Sequence, residues 1–88
     1  MPRGRFITLE GGEGTGKSTQ ARTLAERLRA VGREVVSTRE PGGSEGAEML
    51  RKLLLDGGPD RWSTLSETLL MYAARRDHLE KVIRPAPW

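Results

Sequence analysis

At 88 residues, the chain has room for at most one small domain, near the size at which a single core becomes marginal. Hydrophobic residues make up 35% and aromatics 5%, with 11 Gly and 5 Pro and no Cys, so disulfide frameworks and thiolate metal sites are excluded. The net charge of +3 comes from 15 basic and 12 acidic residues; the Arg residues are scattered without interleaved aromatics, which argues against a nucleic-acid surface, and no apolar run has the length of a membrane span. Neither a secretory signal pattern nor a cysteine is present, and a soluble, cytoplasmic protein is expected.

Phe6-Ile7-Thr8-Leu9 is a short apolar run beside glycine and reads as a buried strand ending at Glu10. A Gly-rich loop follows at once. From Lys17 to about Val31 the pattern is helical, with Ala21, Leu24, Leu28 and Val31 on one face and Gly32 as the stop. Glu34-Val35-Val36-Ser37-Thr38 reads as a second strand, followed by a loop from Arg39 to Gly43. A second helix is predicted from an N-cap at Ser44 to about Leu55, with Ala47, Leu50, Leu53 and Leu54 inward. After the turn cluster Asp56-Gly57-Gly58-Pro59-Asp60, a third helix begins near Ser63 or Thr64, with Thr64 and Glu67 as a capping-box pair. Its inner face would carry Leu65, Leu69, Tyr72, Leu79 and Ile83, and Pro85 and Pro87 end it.

Strand, Gly-rich loop, helix, strand, loop, helix is the opening of a parallel α/β sheet. The expected fold class is therefore α/β: a P-loop NTPase sheet with flanking helices, here incomplete, with two strands and three helices.

The spacing Gly11-x-x-x-x-Gly16-Lys17-Ser18 fits the P-loop pattern at every fixed position. Small residues let successive backbone N–H groups turn inward to form an anion-binding concavity. The helix starting at Lys17 aims its positive end at the same place. Lys17 can reach the β- and γ-phosphates of ATP, and the Ser18 hydroxyl can ligate Mg²⁺. The candidate ATP-binding set is Gly11, Gly12, Glu13, Gly14, Thr15, Gly16, Lys17, Ser18 and Thr19. A carboxylate at Glu13 beside the phosphates either turns to solvent or accepts a hydrogen bond from a sugar hydroxyl. In open α/β sheets ligands bind beyond the carboxyl ends of strands, which puts Thr38-Arg39-Glu40-Pro41-Gly42-Gly43 on the ligand side. An Arg there either holds a second phosphate or belongs to an ordinary surface loop.

Three stretches together resemble the N-terminal half of bacterial thymidylate kinases. They are Phe6 through Gln20, Thr38 through Gly43, and Leu70-Met71-Tyr72-Ala73-Ala74-Arg75-Arg76-Asp77-His78 running on to Val82-Ile83-Arg84-Pro85-Ala86. The likeness covers Arg5 to Ala86, and it implies MgATP-dependent transfer of the γ-phosphoryl group to dTMP, giving dTDP and ADP, by a homodimeric enzyme. It implies that the carboxylate at Glu13 meets the deoxyribose 3′-hydroxyl and that Arg39 lies by the acceptor phosphate as a catalytic group beside Lys17. It implies further that Glu40 and Arg51 line the monophosphate pocket and that Arg75 donates to the thymine base. Met71 stands where the family usually stacks an aromatic on thymine, with Tyr72 pointing elsewhere. Gly14 stands where eukaryote-like members carry an Arg, a role that bacterial members give to a later lid. His78 receives no role.

The chain ends at Pro85-Ala86-Pro87-Trp88, before the family's third strand, its Asp-Arg motif and its lid. Residues 1–88 are thus expected to be the N-terminal part of a single kinase domain, truncated, with low or no activity. The family's third strand lies between the first two, so their edges would face a gap. Another P-loop nucleoside monophosphate kinase and a non-catalytic nucleotide-binding fragment remain open as alternatives.

Overall fold

The computed structural model describes residues 4–12 and 16–87. They form two compact units, one holding Ser37, the described residues before it and Pro87, and the other spanning Thr38–Ala86.

In the first unit, α1 runs Lys17–Ala30. Its N-cap is Gly16 in the left-handed conformation (φ 79°), which a residue without a Cβ adopts at no steric cost. Gly32 (φ 88°) ends the helix as expected: its N–H reaches the Arg29 carbonyl at 3.0 Å, and the Arg33 N–H reaches that of Leu28 at 3.0 Å. The buried residue of α1 is Ala25; of the expected face Ala21 and Leu28 are half-buried beside it, whereas Leu24 and Val31 are exposed.

Neither predicted strand forms among the described residues. A strand exists only where a neighbour completes its ladder of N–H···O=C bonds, and 6–9 and 34–38 do not supply that ladder to each other. An apolar run alone cannot hold a sheet edge. Arg29 Nη2 instead donates to the Val35 carbonyl at 3.1 Å, and Phe6, Ile7 and Val36 stay exposed.

In the second unit, α2 (Glu45–Leu55) and α3 (Thr64–His78) pack on each other. Ser44 caps α2, its Oγ accepting from the Ala47 N–H at 3.2 Å. The α3 cap is Ser63, accepting from the Ser66 N–H at 3.1 Å; the Thr64–Glu67 pairing is therefore corrected by one position. A π-helical turn, Leu79–Ile83, continues α3 and closes with Arg84 N–H to Leu79 O at 2.9 Å, just before Pro85.

The packed face of α3 is also corrected. Leu65, Leu69 and Tyr72 are 69%, 61% and 65% exposed, while Ala74 and His78 are buried. The helices meet through small and polar residues: Ala47 is fully buried, and a Cβ added to Gly46 would lie 3.0 Å from Asp77 Oδ2. Large side chains on that face would hold the helices too far apart for Asp77 to take the Ser44 hydroxyl as it does.

Candidate functional site: a phosphate loop and a latched Arg-Glu-Pro loop

In the first unit, among the described residues, no side chain caps the α1 N-terminus, and its first turn holds no acidic residue. The positive end of the helix lies here, as an anion site requires. Lys17 Nζ donates to the Gly11 carbonyl at 2.9 Å, folding back across the loop. Gly11, Gly12, Gly16, Ser18 and Thr19 are exposed along this turn. Glu13, Gly14 and Thr15 lie outside the described residues.

In the second unit, the loop after Ser37 is fastened to both helices. The Glu48 carboxylate on α2 accepts from Arg39 Nη2 at 2.6 Å and Nε at 3.1 Å, and from the Gly43 N–H at 2.8 Å. Three donors on one carboxylate favour its charged form, so the hydrogen bond from Arg39, then that from Gly43, pull its pKa down to about 2. The same contact raises the Arg39 pKa. Arg51, one helical turn beyond Glu48, donates from Nη1 to the Pro41 carbonyl at 2.8 Å. The Glu40–Pro41 peptide is cis.

Helix α3 holds the same loop from its own side. Arg75 donates from Nε to Glu40 Oε1 at 2.8 Å, with Nη2 2.7 Å from the same oxygen. His78 Nδ1 lies 3.0 Å from Glu40 Oε2, and its Nε2 lies 2.7 Å from Thr38 Oγ1. Partial burial pushes the Glu40 carboxyl up, but hydrogen bonds from Arg75 and His78 outweigh it and the net shift is downward. Gly43 (φ 97°) lies against the His78 ring, where any Cβ would overlap Cδ2 and Nε2. Beneath the loop, Asp77 accepts from the Ser44 hydroxyl and from Lys81 Nζ at 2.9 Å, and both contacts, Ser44 first, lower its pKa.

Arg39, Glu40, Arg51 and Arg75, singled out in the sequence, thus gather around one loop, each with an internal partner. Met71 is half-exposed, one helical turn before Arg75. Tyr72, set aside on the sequence, is exposed one helical turn before Arg75. Glu48 and His78 were missed. The signal for His78 was its place four residues after Ala74 beside Asp77, a small-and-polar stripe; no spacing rule marks Glu48, whose partner lies across a loop.

The family model described as Thymidylate kinase matches residues 9–87. The thymidylate kinase of Caulobacter vibrioides is 66% identical over 85 residues, covering 97% of this chain and 41% of that protein. That of Rhizorhabdus wittichii is 66% identical over 86 residues, covering 98% of this chain and 41% of that protein. Among solved structures, the crystal structure of thymidylate kinase from Ehrlichia chaffeensis is 44% identical with a TM-score of 0.84, covering 96% of this chain and 48% of that chain. The chain therefore spans about two-fifths of the length of these curated relatives. No helix among the described residues is long and apolar enough to cross a membrane.

Proposed function

The chain belongs to the thymidylate kinase family, and on that premise we propose that it binds ATP and dTMP as the donor and acceptor of a phosphoryl transfer. The observation that carries this reading is the latched loop Thr38–Gly43, which gathers Arg39, Glu40, Arg51 and Arg75 in the unit separate from the phosphate loop. Phosphoryl transfer asks little covalent chemistry of a protein; it asks for positioning and for cations around the transferring group.

On the donor side, the α1 N-terminus and Lys17 would hold the triphosphate, with Gly11, Gly12, Gly14, Gly16 and Thr19 shaping the loop. A hydroxyl in the first turn beside a phosphate site fits a hard oxygen-loving cation, so Ser18 would hold Mg²⁺, which spreads charge between the phosphates. On the acceptor side, Arg39 would take the monophosphate, Glu40 and Arg51 would line its pocket, and Arg75 would donate to the base with Met71 against the ring. Glu13 would accept from the sugar hydroxyl.

Residues 1–88 would thus form the N-terminal part of one kinase domain, and alone they would turn over slowly or not at all. Calorimetric titration with dTMP, dUMP and GMP, paired with an ADP-release assay, tests the proposal. The expected result is dTMP binding tighter than that of the other two, with ADP release far below that of the Caulobacter vibrioides relative. Equal affinity for GMP refutes the acceptor assignment; ADP release equal to that relative's refutes the low activity.

A further inference from the structure

His78 is the largest fully buried side chain among the described residues, only 1% exposed. From the last turn of α3, its two ring nitrogens grip both ends of one tripeptide, Thr38 at Nε2 and Glu40 at Nδ1. A carboxylate only accepts, so Nδ1 carries a proton and donates it to Glu40, while Nε2 pairs with the Thr38 hydroxyl. Gly43 closes over the ring from a third side. The ring therefore has a defined seat and a defined donor at Nδ1.

Glu40 passes that order on. Its Oε2 faces the buried ring, while its Oε1 takes Arg75 Nε and Nη2. An exposed Arg–Glu pair on its own samples many geometries, because both side chains rotate freely. Tying one carboxylate oxygen to a buried imidazole removes the freedom of the other, and the guanidinium plane follows it. Arg75 then keeps its outer N–H groups for a further acceptor.

We infer that His78 is a positioning residue for nucleotide recognition: through Glu40 it fixes the Arg75 guanidinium to face the base of a pyrimidine nucleoside monophosphate. The inference rests on the proposed reading in which Arg75 meets the base. It separates His78 from an ordinary core residue, because the bond that matters is the one at Nδ1.

Two amide substitutions isolate that bond. Asn places its amide near where imidazole has Nδ1, whereas Gln reaches the position of Nε2. His78→Asn keeps a donor for Glu40, and His78→Gln keeps only a partner for Thr38. On the 88-residue chain, the Arg75 Nε–H resonance is followed by NMR and dTMP affinity by calorimetry. In His78→Asn the resonance is expected to persist, with dTMP affinity within about threefold of the unsubstituted chain. In His78→Gln it should be lost to solvent exchange, and dTMP should weaken about tenfold, the effect of one charge-assisted hydrogen bond, with ATP affinity unchanged. An unchanged Arg75 resonance in His78→Gln overturns the inference, as does equal dTMP affinity in the two variants. If His78→Gln does not fold, the ¹⁵N shifts of the unsubstituted ring decide, since a proton on Nε2 rather than Nδ1 refutes the chain of contacts. Failure of the unsubstituted chain to bind dTMP overturns the reading of the site and this use of the contact; the Arg75 resonance then decides separately whether His78 orders Arg75.

Discussion

Substitution of Gly43 by Ala tests the seat of the His78 ring most directly. Two costs add at this position. The φ of 97° lies outside the region an L-residue adopts readily, which costs about 1–2 kcal/mol. The new Cβ would also overlap His78 Cδ2 and Nε2, so the ring must leave its seat and give up its bonds to Thr38 and Glu40. At about 1 kcal/mol for each bond, the sum is about 3–4 kcal/mol. Stabilities of about 0.1 kcal/mol per residue make that a large part of what a unit of this size possesses. Two neighbouring glycines serve as controls. Gly57 (φ 93°) would meet the Arg61 side chain first, which is exposed and can swing away, so Gly57→Ala should cost about 1–2 kcal/mol. Gly58 faces open space, and Gly58→Ala should stay within about 0.5 kcal/mol of the parent. Urea titrations followed by far-UV circular dichroism rank the three. If Gly43→Ala unfolds at the midpoint of Gly57→Ala, the ring is not seated under Gly43, and the reasoning fails.

The carboxylates give a pH dependence with a definite sign. Glu40, Glu48 and Asp77 all titrate lower in the folded chain, so their stabilisation is complete above the ordinary carboxylate range and is lost as pH falls from roughly 4.5 toward 2. Urea midpoints should fall across that window and fall less in Glu48→Gln; a flat profile refutes the network. Lys17→Ala should weaken ATP about tenfold in a fluorescent-nucleotide titration and leave the urea midpoint unchanged, because its bond to Gly11 is exposed. Met71→Phe should tighten dTMP about threefold by offering a rigid ring to the base, with little change in stability at a half-exposed position.

The helices were legible because their signals are local. Ser44 offers its oxygen to an N–H three residues on, and the glycine that ends α1 needs no distant partner. The strands were not legible, because an apolar run such as Phe6–Leu9 becomes a strand only when a non-local neighbour pairs with it. The packed face of α3 was misread for another reason. Periodicity finds large apolar residues, yet a close helix contact selects small ones, and the pattern Ala74, Asp77, His78 facing Gly46 and Ala47 has almost no hydrophobic signature. The candidate site residues were named from motif and resemblance, which say nothing of their state: Arg39 and Arg75 are each bound to a carboxylate of the chain itself.

That state follows from how little apolar material the second unit buries. Its buried residues among those described are Gly42, Ser44, Ala47, Ala74 and His78, and none is a large hydrocarbon side chain. Order in the loop must then come from polar contacts, and these divide by exposure. The Arg39–Glu48 and Arg75–Glu40 pairs have guanidinium groups more than half exposed, so water and salt weaken them. The contacts of His78 are sheltered, and breaking them leaves buried polar groups without partners. On the proposed reading, a monophosphate therefore has to compete only with the weak class. Arg39 can trade Glu48 for a phosphate oxygen at small cost, while the seat under Gly43 keeps Thr38 and Glu40 where they were. The loop would thus be rigid at its base and exchangeable at its tips, an arrangement that preorganises a charged site without locking it shut.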